Sequence, residues 1–271
     1  MAVPYKAPVK DIVFGYEVID SYNVLNKISA FSDFSEDIVI PTMEECAKFS
    51  EEVLAPINAI GDQQGATIKD GVVTMPEEFV DAYQKFAEAG WASISLPSDI
   101  GGGGMPITLS GGTLEILSTA NLAFGLAPGL SAGAISAINF HGSQEQKDKF
   151  LPKLVSGEWT GTMNLSEPQS GSDLGTITTK AEPQEDGSYK ITGTKVWITF
   201  GEHNMTENII HLVLAKVPGS PEGTKGISMF IVPKYTVNDD GSVGESNNVS
   251  CISIEEKLGI HASPTCVMEY D

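Results

Sequence analysis

Two short stretches carry side chains whose types and spacing could do chemistry. The first runs Met163-Asn164-Leu165-Ser166-Glu167-Pro168-Gln169-Ser170-Gly171-Ser172-Asp173-Leu174-Gly175. A strand entering a turn dense in hydroxyls, Gly and Pro presents backbone N–H groups and Ser hydroxyls. Such a turn can hold an anion or the edge of a heterocycle without adding charge. The same composition also suits a plain strand-connecting loop. The second stretch is Lys195-Val196-Trp197-Ile198-Thr199-Phe200-Gly201. Strand alternation puts Trp197 and Thr199 on one face. An aromatic face beside a hydroxyl suits a flat, apolar cofactor with one polar edge, although a core Trp in a β-sandwich would leave the same pattern.

Other titratable residues are weaker candidates. Glu167 and Asp173 could be read as a catalytic carboxylate pair, but anchoring of the turn is the expected role. His141, His203, His211 and His261 show no metal-ligand spacing, so surface or local hydrogen-bonding roles are expected. Glu202 is the acidic residue nearest the Trp197 stretch, with a structural role expected. Cys46, Cys251 and Cys266 form neither a metal-like cluster nor an even disulfide set, which fits a reduced, cytoplasmic protein.

Composition narrows the class further. The chain has 271 residues, 41% hydrophobic, with a formal net charge of −20. It is too apolar for an acidic disordered chain and too acidic for a phosphate-tracking nucleic-acid binder. No uninterrupted apolar run of bilayer-spanning length is read, no membrane association is expected, and residues 1–8 do not resemble a signal peptide.

The elements that must position these stretches fall into two kinds. Residues 1–157 read as helix. Segments over 11–27 and 42–60 carry mixed helical spacing, with Pro41 expected at a helix start. Pro76 and Gly90 bracket another helix, and Ser143-Gln144-Glu145-Gln146 forms a capping box opening the helix that runs to Leu154. Leu96-Pro97 leads into a four-glycine loop at 101–104. Residues 109–140 hold one charge, Glu115, and read as buried helix broken near 125–129 by Pro128. From residue 158 the period becomes β-like. Runs over 176–182 and 188–194 flank an Asp186-Gly187 hairpin signal, with further strands over 209–217, 227–232, 249–254 and 265–270. The expected fold is therefore α+β, a helical domain over 1–157 followed by a β-barrel or sandwich domain over 158–271.

The stretches also resemble a known family. Ser166-Glu167-Pro168-Gln169-Ser170-Gly171-Ser172-Asp173 resembles the T-E-P-x-A-G-S-D signature of acyl-CoA dehydrogenases, and Lys195-Val196-Trp197-Ile198-Thr199 resembles their K-x-[WFY]-I-T strand. Gly142-Ser143-Gln144-Glu145-Gln146-Lys147, Leu151-Pro152-Lys153-Leu154-Val155-Ser156-Gly157-Glu158, Leu96-Pro97 with Gly101-Gly102, and the element from Lys257 to Thr265 resemble further motifs in the same order. The likeness runs from about residue 75 to 271. Tyr5-Lys6-Ala7-Pro8 and Gly201-Glu202-His203-Asn204-Met205 resemble the larger bacterial branch that includes 3-methylmercaptopropionyl-CoA dehydrogenases.

The resemblance implies FAD-dependent oxidation of the Cα–Cβ bond of an acyl-CoA to a trans-2-enoyl-CoA, with an electron-transferring flavoprotein as acceptor and a homo-oligomer at full length. It implies cofactor contacts from Met163, Leu165, Ser166, Gly171, Ser172, Trp197, Ile198 and Thr199. Ser172 is also the implied substrate contact. Ser166 stands where Thr is commoner and keeps the hydroxyl with a looser rotamer. No metal is implied. The family's base is usually a Glu in a C-terminal helical domain, which this chain is expected to lack. No catalytic residue is assigned, and little dehydrogenase activity and weak FAD retention are expected of the chain alone. Two other readings share the fold: a non-catalytic flavin- or CoA-binding module, and an acyl-CoA oxidase. A DNA-associated relative is opposed by the charge.

Overall fold

Local signals account for most of the helices. The computed structural model describes residues 4–271. Its first part runs α1 (Val9–Val18), α2 (Ser21–Leu25), α3 (Glu36–Phe49), α4 (Ala55–Gln64), β1 (Thr67–Lys69), β2 (Val72–Thr74), α5 (Glu77–Glu88), α6 (Ile107–Ala120), α7 (Leu122–His141) and α8 (Gln144–Ser156). The capping box at Ser143 and Gln146 is formed on both sides, and Gly157, at φ 81°, ends α8. The helix expected over 11–27 is split by Asp20, which sits at φ 55°, a conformation that Asp tolerates better than most side chains.

Two expectations about prolines are corrected. Pro41 lies inside α3. The helix opens at Glu36 instead, where Glu36 and Asp37 oppose the positive end of the dipole. It then passes through a π turn, Ser50–Leu54, into α4. Pro128 does not break α7, which is continuous over 20 residues. The break falls at Asn121, whose side chain accepts from Phe124 N (3.1 Å) and donates to Leu54 O (3.2 Å). Buried contacts on both sides of Pro128 outweigh the single bond that it removes. Continuity also makes α7 long and apolar enough to cross a membrane by length and composition. Here it lies against the sheet, with Ala134, Ile135 and Ile138 buried.

The strands follow as β3 (Trp159–Asn164), β4 (Lys180–Pro183), β5 (Tyr189–Thr199), β6 (Asn208–Lys216), β7 (Ile227–Pro233), β8 (Tyr235–Val237), β9 (Val243–Ser246), β10 (Val249–Glu255) and β11 (Thr265–Tyr270). Seven of them form one mixed sheet in the order β10-β11-β5-β4-β6-β3, with β7 also paired to β6. The Asp186-Gly187 signal closes the β4–β5 hairpin. The β1–β2 hairpin was not expected. Its turn places Asp70 and Gly71 at φ 51° and 79°, the conformation that Asp-Gly favours, but each strand has three residues and gives no readable alternation. Val73 of this hairpin is buried with β-strand residues. The helices gather around an aromatic cluster of Phe79, Tyr83, Phe86 and Phe124.

Candidate functional site

The two stretches meet where the segment leaving β3 reaches β5. Val196 N donates to Ser166 O at 2.9 Å. Glu167 and Ser170 exchange backbone bonds of 2.7 and 2.9 Å, so Pro168-Gln169 forms a two-residue turn. Ser170 Oγ donates to Asp173 O at 2.6 Å, and Asp173 Oδ1 accepts from Gly175 N at 3.0 Å. The turn is thereby rigid without a metal, and among the described residues no cluster of His, Cys, Asp or Glu could hold one.

Glu167 anchors this arrangement from below. It is 2% exposed. Its carboxylate accepts from Thr178 N (2.7 Å), Thr178 Oγ1 (2.8 Å), Thr179 N (3.0 Å), Thr179 Oγ1 (2.5 Å), Gln169 Nε2 (2.7 Å) and Lys195 Nζ (2.9 Å). Burial alone would raise its pKa, but the bonds from Thr179, Thr178 and Lys195 outweigh it and hold the carboxyl at about 2. Glu167 is therefore an anchor held in its charged form.

Trp197 is the unusual residue. Cys266 of β11 pairs with Ile198, while Met268 pairs with Lys195. Val196 and Trp197 therefore oppose Val267 alone, which is a β-bulge. Within it Trp197 adopts φ 60°, a backbone conformation costly for a bulky side chain. The bulge resets the alternation. Lys195 and Val196 both point inward, whereas the Trp197 ring is 53% exposed. A Cβ built on Gly171 would lie 3.9 Å from that ring, so the Ser-rich turn borders the aromatic face. Phe200, at φ 52°, is the second aromatic residue of this segment with a left-handed backbone.

The implied cofactor residues are not equivalent. Met163 and Trp197 are exposed, Leu165, Ser166 and Thr199 are half-buried, and Gly171 and Ser172 lie on the open turn. Ile198 does not share their surface. Its side chain is buried in the β core, because the residue after the bulge faces inward, so only its backbone is left for a ligand on the Trp197 side.

Beyond Phe200, Glu202 is buried and paired with Lys234 (2.5 Å). Burial pushes this carboxyl up, and Lys234 and the His203 N–H only partly offset it. The surface role considered for the histidines holds for His141 and His261, which are exposed. His203 and His211 are buried and take the hydrogen-bonding role instead. Met205 N donates to His203 Nδ1 (3.2 Å), leaving Nε2–H to donate to Thr160 Oγ1 (2.9 Å). Tyr270 Oη donates to Asn164 Oδ1 (2.8 Å), Asn164 Nδ2 donates to Thr162 Oγ1 (2.8 Å), and that hydroxyl donates to His211 Nδ1 (2.7 Å). Burial lowers both imidazoles to a pKa of about 3. The only sequence signal for this row is the Thr160-x-Thr162-x-Asn164 alternation in a strand, and nothing local names the partners. A cavity of about 390 Å³ lined by Tyr83, Glu88, Glu158 and Glu207 lies away from the Trp197 face.

Comparison with known proteins places this geometry in context. A family model described as acyl-CoA dehydrogenase, N-terminal domain, matches residues 41–158. A second, described as acyl-CoA dehydrogenase, middle domain, matches residues 162–271. The chain is 45% identical over 267 residues to 3-methylmercaptopropionyl-CoA dehydrogenase of Ruegeria pomeroyi, covering 98% of this chain and 45% of that protein. It is 38% identical to a butyryl-CoA dehydrogenase of Syntrophomonas wolfei, covering 98% and 44% respectively. An acyl-CoA dehydrogenase of Bacillus anthracis, solved in complex with FAD, superposes with a TM-score of 0.69 at 26% identity over 89% of this chain and 36% of that one. A chain in the structure of the electron transferring flavoprotein of Acidaminococcus fermentans gives a TM-score of 0.69 at 26% identity, covering 88% and 56%. The chain spans less than half the length of these two curated relatives.

Proposed function

The chain belongs to the acyl-CoA dehydrogenase family, and we propose that it forms the flavin-facing part of an FAD-dependent enzyme that converts an acyl-CoA to a trans-2-enoyl-CoA. Residues 1–157 and 158–271 serve as two domains of that enzyme. The observation that carries the reading is the Trp197 bulge. A bulky aromatic residue is held in a costly backbone conformation, half-exposed, against a rigid turn of hydroxyls, and strain of this kind is retained where a surface is used.

The donor set fits FAD. The Trp197 ring offers an apolar shelf for a flat ring, and Met163 of β3 is also exposed. The Ser166 hydroxyl, the Ser166 N–H and the Thr199 hydroxyl offer polar contacts for its edge. Gly171 and Ser172 leave an open turn for phosphates and for the substrate arm, where backbone N–H groups suit anions. Bound FAD supplies the hydride acceptor. The chain's own residues seat the ring, exclude water from one face through Trp197, and hold the polar edge in register through the Val196–Ser166 bond.

Three carboxylates in or beside the two stretches are already committed. Glu167 is fixed by its six donors, Glu202 is buried on Lys234, and Asp173 caps Gly175. None of the three is assigned as the proton-abstracting carboxylate, which the family resemblance implies is a Glu of a C-terminal helical domain. The 45% identity to the Ruegeria pomeroyi enzyme makes 3-methylmercaptopropionyl-CoA the first substrate to try, with butyryl-CoA the second. An electron-transferring flavoprotein is the acceptor, the full-length protein is a homo-oligomer, and the free, buried thiols suit a cytoplasmic, reducing setting.

The test is turnover with FAD, a panel of acyl-CoAs and an artificial electron acceptor, measured for this chain and for a longer protein containing it. The longer protein is expected to dehydrogenate and the isolated chain to retain FAD weakly and turn over little. Robust turnover by the isolated chain would overturn the assignment of the base elsewhere.

A further inference from the structure

Lys195 makes two contacts from a position with no exposure to solvent. Its Nζ donates to Glu167 Oε1 at 2.9 Å and to Leu165 O at 3.0 Å. The second contact matters because the Leu165 carbonyl and the Ser166 N–H belong to one conjugated peptide unit. A cation donating to the oxygen draws electron density through the amide, and the N–H on the far side becomes a stronger donor. The unit cannot rotate away from this contact, since Ser166 O accepts from Val196 N and Glu167 is bonded to Ser170 just beyond. Glu167 meanwhile spreads its charge over Thr178, Thr179 and Gln169. The ammonium thus remains free to act on Leu165 O as well as on its counter-ion.

We propose that Lys195 is a positioning residue that polarises the Leu165–Ser166 peptide, so that the Ser166 N–H favours the electron-rich, reduced state of the ring seated on Trp197. This rests on the FAD reading above. Lys195 touches neither the ring nor substrate and acts through the peptide.

Replacing Lys195 alone leaves Glu167 buried without a counter-ion, so the informative protein is the Lys195→Met/Glu167→Gln double variant, which removes both charges and keeps volume. Thr179→Val is the structural control. It removes a hydroxyl from Glu167 and leaves the Lys195–Leu165 contact intact. The first readout is the ¹³C carbonyl shift of Leu165 in the chain without FAD, expected to move in the double variant and to stay put in the control. The second is the flavin midpoint potential of the FAD-loaded protein. The double variant is expected to lose about tenfold in preference for reduced over oxidised flavin, about 30 mV for a two-electron couple, with no change in Thr179→Val. An unchanged potential in the double variant, or an equal shift in both variants, overturns the proposal. If the wild-type protein takes up no FAD, the flavin reading falls and the tuning with it, while the carbonyl shift still decides whether Lys195 polarises the peptide.

Discussion

The segment that carries Trp197 is held at each end by a lysine paired with a buried carboxylate, and the two pairs behave oppositely. At one end Glu167 meets Lys195 and five further donors, and its pKa falls to about 2. At the other end Glu202 meets Lys234 and the His203 N–H, and its pKa is raised. Both carboxyls are buried. Burial therefore does not decide the charge state by itself. What decides it is the number of N–H and O–H groups that replace the lost hydration. The first pair is a locked charge, and the second is a group that can take up a proton.

The largest test of this contrast is to remove one lysine at a time. Lys195→Met strands a carboxylate with no route to water and is expected to cost about 3–5 kcal/mol in urea unfolding at pH 7. Lys234→Met is expected to cost less than about 2 kcal/mol, because its partner can protonate and the Lys234 side chain is partly exposed. Equal losses would erase the distinction.

The pH dependence sharpens it next. The depressed pKa of Glu167 contributes about 3 kcal/mol of stability, fully present above pH 4.5 and lost as pH falls toward 2. Glu167→Gln should therefore be most destabilised at neutral pH and approach wild type in acid. The raised pKa of Glu202 has the reverse sign. Its folded form binds a proton more readily, so the wild type loses stability relative to Glu202→Gln as pH rises above 4.5. Chemical denaturation across pH 2.5–7 reads both slopes.

His203 and His211 give a separable effect at higher pH. Each stays neutral in the folded chain down to about pH 3 while the unfolded chain takes up a proton below 6.5. Stability is thus fully present above pH 6.5 and is lost below it, at up to about 1.4 kcal/mol per pH unit for each imidazole. His211→Gln should remove half of that slope between pH 6.5 and 5.

The smallest effect on stability is expected at Trp197. Trp197→Gly relieves the left-handed backbone and should change unfolding free energy by only about 1 kcal/mol in either direction, as relief of strain opposes the greater flexibility of Gly. FAD affinity should nevertheless fall at least about tenfold, the loss of roughly one aromatic contact, measured by fluorescence titration. A variant that binds FAD as tightly as wild type would break the link between the bulge and the shelf.

Much of this was legible in residue order. The Ser143–Gln146 cap, the Gly90 stop and the Asp186-Gly187 hairpin depend on neighbours within a few positions, and each formed as expected. The same locality explains the misses. Pro41 and Pro128 are strong local breakers, but buried contacts along α3 and α7 outweighed the one bond each removes. Ile198, a cofactor contact implied by the family resemblance, is a different case, since its buried side chain leaves only the backbone for that contact. Its burial depends on the bulge, and the bulge depends on β11, about seventy residues away.

By itself, the sequence determined the succession of a helical part and a β part, the hydroxyl-rich turn from Ser166 to Gly175, and the family to which these motifs belong. Those features follow from short-range backbone preferences and from residue types that keep their chemistry in any setting. Only the tertiary structure decided that Trp197 faces outward, that Glu167 is held by six donors, and that Lys195 reaches the Leu165 carbonyl. The reason is register. A single extra residue in β5 opposite β11 reverses which side chains point inward, and no neighbour of Trp197 along the chain records where that extra residue falls.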